Sequence, residues 1–183
     1  MTPAPSALVG RDQPLAELRA LVEAALASRG GVVTLTGEAG IGKTTLATAA
    51  ADHAEARGAT VVWGTCWEGA PPFWPWLEVL AALGAEVDLQ ADRQGGDRLR
   101  PPSAAAARFE RFAAISGALL RAAGSLVVVL DDLHWADPAS VELAAFHARR
   151  ARRSRQLLVA TYRDVEIAPG DPLGRPIARL EAE

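Results

Sequence analysis

The sequence predicts an α/β protein built on a mainly parallel sheet, and three observations support this prediction. Short apolar runs rich in valine and leucine alternate with longer stretches of helical periodicity, as in consecutive βαβ units. Glycines follow the first two helical stretches, at Gly30, Gly31 and Gly58, where they are suited to end a helix. Half of the 183 residues are hydrophobic and 22% are charged, which suits one packed domain over residues 1–183.

The first half of the chain is expected to contain two strands and three helices. In order, these are a helix over residues 12–28, a strand over 32–36, a helix over 43–57, a strand over 60–66 and a short helix ending near residue 83. The apolar face of the first helix would consist of Leu15, Leu18, Leu21, Val22 and Leu26. The aromatic residues that we expect to pack the loop before the short helix onto the core are Trp67, Phe73, Trp74 and Trp76.

The second half begins with a polar, glycine- and proline-containing stretch over residues 86–102, which predicts a mobile surface loop. Ser103 is a suitable N-cap for a helix that continues to about residue 123, and Asp137 is a suitable N-cap for a helix with Pro138 at its first position. In the helix capped by Ser103, four residues recur at helical spacing: Phe109, Phe112, Ser116 and Leu119. The remaining elements are strands over 126–130 and 156–161 and a helix-like segment over 177–183.

Composition and charge argue against several classes of protein. The net charge of −3 argues against a strongly basic nucleic-acid-binding protein. The single cysteine, Cys66, excludes an intramolecular disulfide framework and fits a reducing, cytoplasmic compartment. The longest strongly apolar run, residues 126–130, is much shorter than the ~20 residues of a membrane-spanning helix. The N-terminal residues also lack the pattern of a signal peptide.

A phosphate-binding motif follows the first predicted strand and opens the next helix. Residues 37–44, GEAGIGKT, match the pattern G-x-x-x-x-G-K-[ST]. Glycines allow backbone N–H groups to surround phosphate oxygens, and the N-terminus of the following helix adds positive charge. Lys43, the only lysine of the chain, would reach the β- and γ-phosphates, and Thr44 would bind Mg²⁺. Without phosphate we expect Lys43 to face solvent. The nucleotide-binding residues assigned by this motif are Gly37, Glu38, Ala39, Gly40, Ile41, Gly42, Lys43 and Thr44.

Charged residues also follow two later strands. Asp131 and Asp132 come directly after the apolar run 126–130, and Arg163 follows the last predicted strand. Because parallel strands end at one edge of the sheet, these side chains should lie near the phosphate-binding loop. Asp131 suits Mg²⁺, Asp132 could orient or polarise the attacking water, and Arg163 could contact a γ-phosphate.

Three further features are expected to be structural. His134 is interpreted as a positioning or packing residue rather than a base, and Cys66 as a small buried apolar residue. The arginine-rich stretch over 149–155 is interpreted as the solvated end of a helix, where cations suit the helix dipole. Contact with a nucleic-acid backbone is the alternative for that stretch.

Five motifs in a fixed order resemble a known family. They are residues 8–12 (LVGRD), the loop 37–44, residues 66–76 (CWEGAPPFWPW), residues 131–138 (DDLHWADP) and residues 161–163 (TYR). This pattern resembles the AAA-type P-loop nucleotide-binding domain of STAND NTPases, as in the large ATP-binding LuxR-family bacterial transcriptional regulators. The resemblance covers nearly the whole chain, from Leu8 to about Leu180.

The resemblance implies a three-layer α/β/α P-loop NTPase fold with strand order 1-4-3-2. It also implies that Val9, Gly10 and Arg11 lie near the adenine and ribose, that Thr45 contacts the α-phosphate, and that Arg163 is the first sensor of the nucleotide. In the family, ATP and ADP hold different conformations. A fifth strand, a helical lid and a winged-helix domain usually follow, and this chain is expected to lack them and to leave the first strand as a sheet edge.

The predicted function is Mg²⁺-dependent binding of ATP (or ADP) with slow hydrolysis, in the nucleotide module of a bacterial signalling or transcriptional regulator. Its partners would be the nucleotide and the sensor and output domains of a larger protein, with no direct contact to nucleic acid or membrane. Two alternatives stay open: a ring-forming AAA ATPase motor, and a truncated fragment that binds nucleotide weakly.

Overall fold

A parallel four-stranded sheet forms the centre of the protein. The computed structural model describes residues 11–87, 103–122, 124–168 and 170–183. The strands are β1 (Gly31–Thr36), β2 (Thr60–Thr65), β3 (Leu126–Asp131) and β4 (Gln156–Tyr162). Their order in the sheet is β1-β4-β3-β2, and all three pairings are parallel. The strand order implied by the sequence resemblance is therefore confirmed.

Helices cover both faces of the sheet. They are α1 (Asp12–Leu26), α2 (Lys43–Ala56), α3 (Trp74–Ala82), α4 (Ala104–Arg121), α5 (Pro138–Ala151) and α6 (Gly174–Glu181). Two single turns of 3-10 helix, Leu133–Trp135 and Asp164–Glu166, follow β3 and β4. In the described part of the chain, no helix combines the length and hydropathy that spanning a bilayer requires.

Alternating side chains of the central strands build two hydrophobic cores. On β3, Val127 and Val129 belong to the core that includes α1 and α2. Val128 and Leu130 belong to the core on the opposite face, with residues of α3, α4, α5 and α6. Every residue of β3 and β4 is buried, whereas β1 is half-buried over most of its length. This arrangement confirms the three-layer α/β/α fold, with β3 and β4 at its centre.

The predicted N-caps form as expected. Ser103 Oγ accepts a hydrogen bond from the Ala106 N–H at 3.2 Å, at the start of α4. Asp137 Oδ1 accepts from the Ser140 N–H at 3.1 Å, at the start of α5. Both bonds satisfy a backbone donor that has no partner within the helix itself.

The structure corrects some of the sequence assignments. Leu21 and Phe109 are 40% and 60% exposed, because each lies at the border of the buried stripe of its helix. The last helix begins at Gly174 rather than at residue 177, and β3 and β4 each continue one residue further than predicted. Most of the predicted mobile loop, residues 88–102, lies outside the described residues, as does the predicted end of α4 at residue 123.

Candidate functional site

A cleft of about 270 Å³ lies at the edge of the sheet where the parallel strands end. The loop between β1 and α2 and the first turn of α2 together supply most of its wall, and the residues that follow β3 and β4 supply the rest. Its lining residues are Ala39, Gly40, Gly42, Lys43, Thr44, Thr45, Asp132 and Arg163. The sequence motifs at residues 37–44, 131–132 and 163 are thus brought to one place. This is the position at which ligands bind in open α/β sheets.

The glycines of the loop adopt backbone conformations that other residues rarely adopt. Gly37, Gly40 and Gly42 have φ angles of +138°, +73° and +92°. A β-carbon at Gly42 would lie 2.8 Å from Nη1 of Arg11, so the end of that flexible side chain would have to shift. The positive φ angles are therefore the reason that the loop needs glycine at these positions.

Lys43 is buried within the loop, which corrects the expectation that it faces solvent. The residue is 8% exposed. Its Nζ donates to the backbone oxygens of Gly37 at 2.8 Å and of Glu38 at 2.9 Å. A buried ammonium group must find acceptors, and here they are carbonyls of its own loop. The loop thus holds the lysine at the wall of the cleft.

Thr44 and Asp131 meet although they are 87 positions apart in the sequence. Thr44 Oγ1 lies 3.2 Å from both carboxylate oxygens of Asp131 and donates to them. Asp131 Oδ1 also accepts a hydrogen bond of 2.5 Å from Thr161 Oγ1, on the neighbouring strand β4. The Asp131 carboxylate is 8% exposed and is held from two sides. A hydroxyl and a carboxylate at this distance supply the hard oxygen donors that Mg²⁺ prefers.

Asp132 turns the chain away from β3 and towards the cleft. It adopts a left-handed conformation with φ 58° and ψ 46°, which aspartate tolerates better than most residues. Its backbone N–H donates to Thr161 Oγ1 at 2.9 Å. Because of this turn, the two adjacent aspartates face different surroundings: Asp131 is buried against Thr44, and Asp132 lines the cleft.

Arg163 reaches the cleft from the end of β4 and is paired with an acidic residue. Its Nη1 donates to Glu166 Oε1 at 2.6 Å, and this hydrogen bond raises the pKa of the guanidinium. The other oxygen of Glu166 lies 3.3 Å from Nε2 of His134. Burial lowers the pKa of His134, although the nearby carboxylates of Asp132 and Glu166 act in the opposite direction.

Comparison with known protein families matches the AAA ATPase domain over residues 7–160. This chain belongs to the AAA ATPase domain family. The match includes the phosphate-binding loop and the acidic pair after β3. Members of the family generally use a nucleotide and Mg²⁺, and the cleft of this AAA domain offers a buried lysine beside a hydroxyl–carboxylate pair, which fits both. No significant match was found among curated protein sequences.

Solved structures with a similar fold include a Cdc6p protein and an Orc1 protein. Cdc6p from Pyrobaculum aerophilum superposes with a TM-score of 0.61 at 19% identity, over 99% of this chain and 52% of that one. The Orc1 protein of Aeropyrum pernix, solved in complex with DNA, superposes with a TM-score of 0.54 at 20% identity, over 97% of this chain and 44% of that one. The AAA domain thus spans about half the length of these proteins, and the likeness concerns the fold.

The remaining predicted site residues lie around the cleft or outside the described residues. Thr45 lines the cleft, and Arg11 lies against the loop at Gly42. Ile41 is 47% exposed and is not among the residues that line the cleft. Val9 and Gly10, which the sequence resemblance places near the adenine and ribose, lie outside the described residues.

Most of the residues that the sequence analysis interprets as structural are buried or are paired with other residues of the fold. Cys66 is buried, and desolvation raises the pKa of its thiol to about 12. Trp76 is fully buried and donates from Nε1 to the Ser140 carbonyl at 3.0 Å, so it packs the start of α3 onto α5. In the arginine-rich stretch, Arg149 and Arg152 are both paired with Glu183. Of the other three aromatic residues expected to pack the loop before α3, Phe73 is buried, whereas Trp67 is 48% exposed and contacts the ring of Trp74, so Trp67 packs less closely than we expected.

Two residues of the site were not assigned a role from the sequence. Thr161 bonds both members of the acidic pair, and Glu166 binds Arg163. The signal for Thr161 was its place at the end of a strand next to β3, since a hydroxyl there can reach the neighbouring strand end. Glu166 lies in a segment without periodicity, and only its spacing of three residues from Arg163 hinted at the pair.

Proposed function

We propose that this AAA domain binds ATP with Mg²⁺ and hydrolyses it slowly. One observation carries the proposal: Lys43, Thr44, Asp132 and Arg163 line a single cleft, and Asp131 lies behind Thr44. These residues come from three separate segments of the sequence. A glycine-rich turn without function would not require an acidic pair and an arginine to converge on it.

Each residue has a role that follows from its chemistry. Lys43 would exchange its bonds to the loop carbonyls for bonds to the β- and γ-phosphates. Thr44 and Asp131 would hold Mg²⁺, directly or through water. Arg163 would donate to the γ-phosphate. Thr45 would contact the α-phosphate, and Arg11, with Val9 and Gly10, would lie near the adenine and ribose.

Hydrolysis is assigned to Asp132. Its carboxylate lines the cleft and belongs to the residue after the proposed metal ligand, so it could orient or polarise a water for attack on the γ-phosphate. Bound Mg²⁺ supplies charge neutralisation on the phosphate oxygens. We expect slow turnover because the described part of the cleft offers one arginine, Arg163, which is already paired with Glu166.

We further propose that the domain is the nucleotide module of a cytoplasmic bacterial signalling or transcriptional regulator of the STAND type. The support is the order of the five motifs, in particular LVGRD at residues 8–12 and DDLHWADP at residues 131–138. Coding sequence for a winged-helix or helix-turn-helix domain in the same reading frame would support this role. A frame that continues into an unrelated domain would contradict it.

Calorimetric titration of the purified chain tests nucleotide binding directly. ATP and ADP are each titrated with Mg²⁺ and again with a chelator. The proposal predicts saturable ATP binding that weakens when Mg²⁺ is removed. Absence of binding in both conditions would contradict it. Turnover per molecule that rises with protein concentration would favour ring assembly and a motor function over an isolated regulatory module.

A further inference from the structure

Four charged or titratable side chains form a row at the edge of the cleft. Arg163 Nη1 donates to Glu166 Oε1 at 2.6 Å, and Glu166 Oε2 lies 3.3 Å from His134 Nε2. On the other side of the imidazole ring, His134 Nδ1 lies 3.8 Å from Asp132 Oδ1. Glu166 thus stands between Arg163, which lines the cleft, and His134, which adjoins Asp132.

The His134 ring lacks hydrogen bonds although it is enclosed. Its side chain is 2% exposed, and neither ring nitrogen has a hydrogen-bond partner within the part of the chain that the structure describes. Buried polar atoms normally have a hydrogen-bond partner, and a small movement of a flanking carboxylate would give the His134 ring one. The Glu166 carboxylate is the nearer of the two acceptors that flank it.

The pair between Arg163 and Glu166 can be exchanged. Their side chains are 29% and 35% exposed, and ion pairs with this degree of solvent contact are weak. Arginine binds phosphate in a bidentate manner with charge-assisted hydrogen bonds, which are stronger. A γ-phosphate in the cleft would therefore compete with Glu166 for the same guanidinium.

We propose that Glu166 is a positioning residue that holds Arg163 until a γ-phosphate displaces it, and that then accepts a hydrogen bond from His134. The inference rests on the nucleotide binding proposed above. ADP has no γ-phosphate and leaves the pair of Arg163 with Glu166 in place. With ATP, the released Glu166 fixes the His134 ring beside Asp132, the residue assigned to the attacking water. Glu166 thereby links recognition of the γ-phosphate to hydrolysis.

The variant Glu166→Gln separates this role from a structural one. The neutral amide holds Arg163 less tightly, so ATP should bind roughly two- to fivefold more tightly. The affinity for ADP should not change. Single-turnover hydrolysis, measured with the protein in excess over ATP, should slow, because the neutral amide oxygen is a weaker hydrogen-bond acceptor for His134 than the carboxylate is. Damage to the fold would instead weaken the binding of both nucleotides.

Two controls isolate the effect. Asp164→Asn removes the same charge from the same 3-10 turn and should leave the ratio of ATP to ADP affinity unchanged. In an Arg163→Ala background, Glu166→Gln should no longer increase ATP affinity, since the two residues act on one contact. Thermal unfolding of each variant checks that the domain remains folded.

The possible results distinguish this inference from the proposed function. If the unmodified chain does not bind ATP with Mg²⁺, the proposed function fails and the role of Glu166 fails with it. If the chain binds ATP but Glu166→Gln behaves like Asp164→Asn, only the role of Glu166 is overturned. The same conclusion follows if Glu166→Gln still increases ATP affinity when Arg163 is absent.

Discussion

Thr161 donates a hydrogen bond of 2.5 Å from its Oγ1 to Oδ1 of Asp131, across the boundary between β4 and β3. The same hydroxyl oxygen accepts the backbone N–H of Asp132 at 2.9 Å. One side chain therefore orients the carboxylate assigned to Mg²⁺ and stabilises the turn that directs Asp132 into the cleft. Thr161 itself is fully buried and cannot contact a ligand in the cleft.

Thr161→Val should disturb the site without removing any residue that contacts nucleotide. Valine has the same shape, but it leaves the Asp132 N–H without an acceptor and Asp131 without one donor. We expect the free energy of unfolding in urea to fall by about 1–3 kcal/mol and the Mg²⁺ concentration needed for ATP binding to rise. Thr161→Ser retains the hydroxyl and should behave like the unmodified chain in Mg²⁺ dependence. Equal Mg²⁺ dependence in both variants would show that Asp131 does not need this bond.

The two aspartates should have separable roles. Asp131→Asn should mainly weaken the Mg²⁺ dependence of nucleotide binding, because Asp131 faces Thr44. Asp132→Asn should mainly slow hydrolysis, because Asp132 lines the cleft. Titration of ATP at several Mg²⁺ concentrations and single-turnover hydrolysis measure the two effects. If both changes affect Mg²⁺ dependence equally, the division of roles is wrong.

His147 should make the stability of the fold depend on pH. Burial lowers its pKa in the folded protein to about 4, and its Nδ1 lies 3.1 Å from Ser116 Oγ. The unfolded chain binds a proton at this residue below about pH 6.5, while the folded chain does so only near pH 4. Stability from this residue is therefore fully present above pH 6.5 and is lost as the pH falls from 6.5 towards 4, by at most ~1.4 kcal/mol per pH unit.

Urea unfolding at pH 7 and pH 5 measures this effect in the unmodified chain and in His147→Phe. Other groups titrate in the same range, so the difference between the two proteins is the relevant quantity. The unmodified chain should lose more stability than the variant between the two pH values. An equal loss would mean that His147 titrates alike in the folded and unfolded states.

Much of the fold could be predicted from the sequence, because the patterns that indicate strands, helices and helix caps are local. The alternation of apolar strands with helices and the capping residues Ser103 and Asp137 depend on short stretches, and the structure contains each of them. The exposure of Leu21 and Phe109 could not be predicted. A residue at the border of a helix's apolar stripe is buried only where the neighbouring elements extend far enough to cover it.

The site was predictable in its motifs but not in its internal contacts. The phosphate-binding loop, the acidic pair and Arg163 were expected to converge, since parallel strands end at one edge. The burial of Lys43 against its own loop was not expected, because the sequence does not show which carbonyls face the ammonium. The roles of Thr161 and Glu166 likewise depend on contacts between side chains that only the folded arrangement reveals.

Titration of Lys43→Ala with ATP and Mg²⁺ tests the nucleotide-binding function most directly. Loss of the charge-assisted contacts to phosphate, each contributing ~1.5–3 kcal/mol, should reduce affinity by roughly 10- to 150-fold or more. Arg57→Ala, which removes a surface cation paired with Glu23 outside the cleft, is the matched control and should bind ATP like the unmodified chain. Thermal unfolding should show that both variants are folded. A folded Lys43→Ala variant with unchanged affinity for ATP and Mg²⁺ would contradict nucleotide binding at this loop.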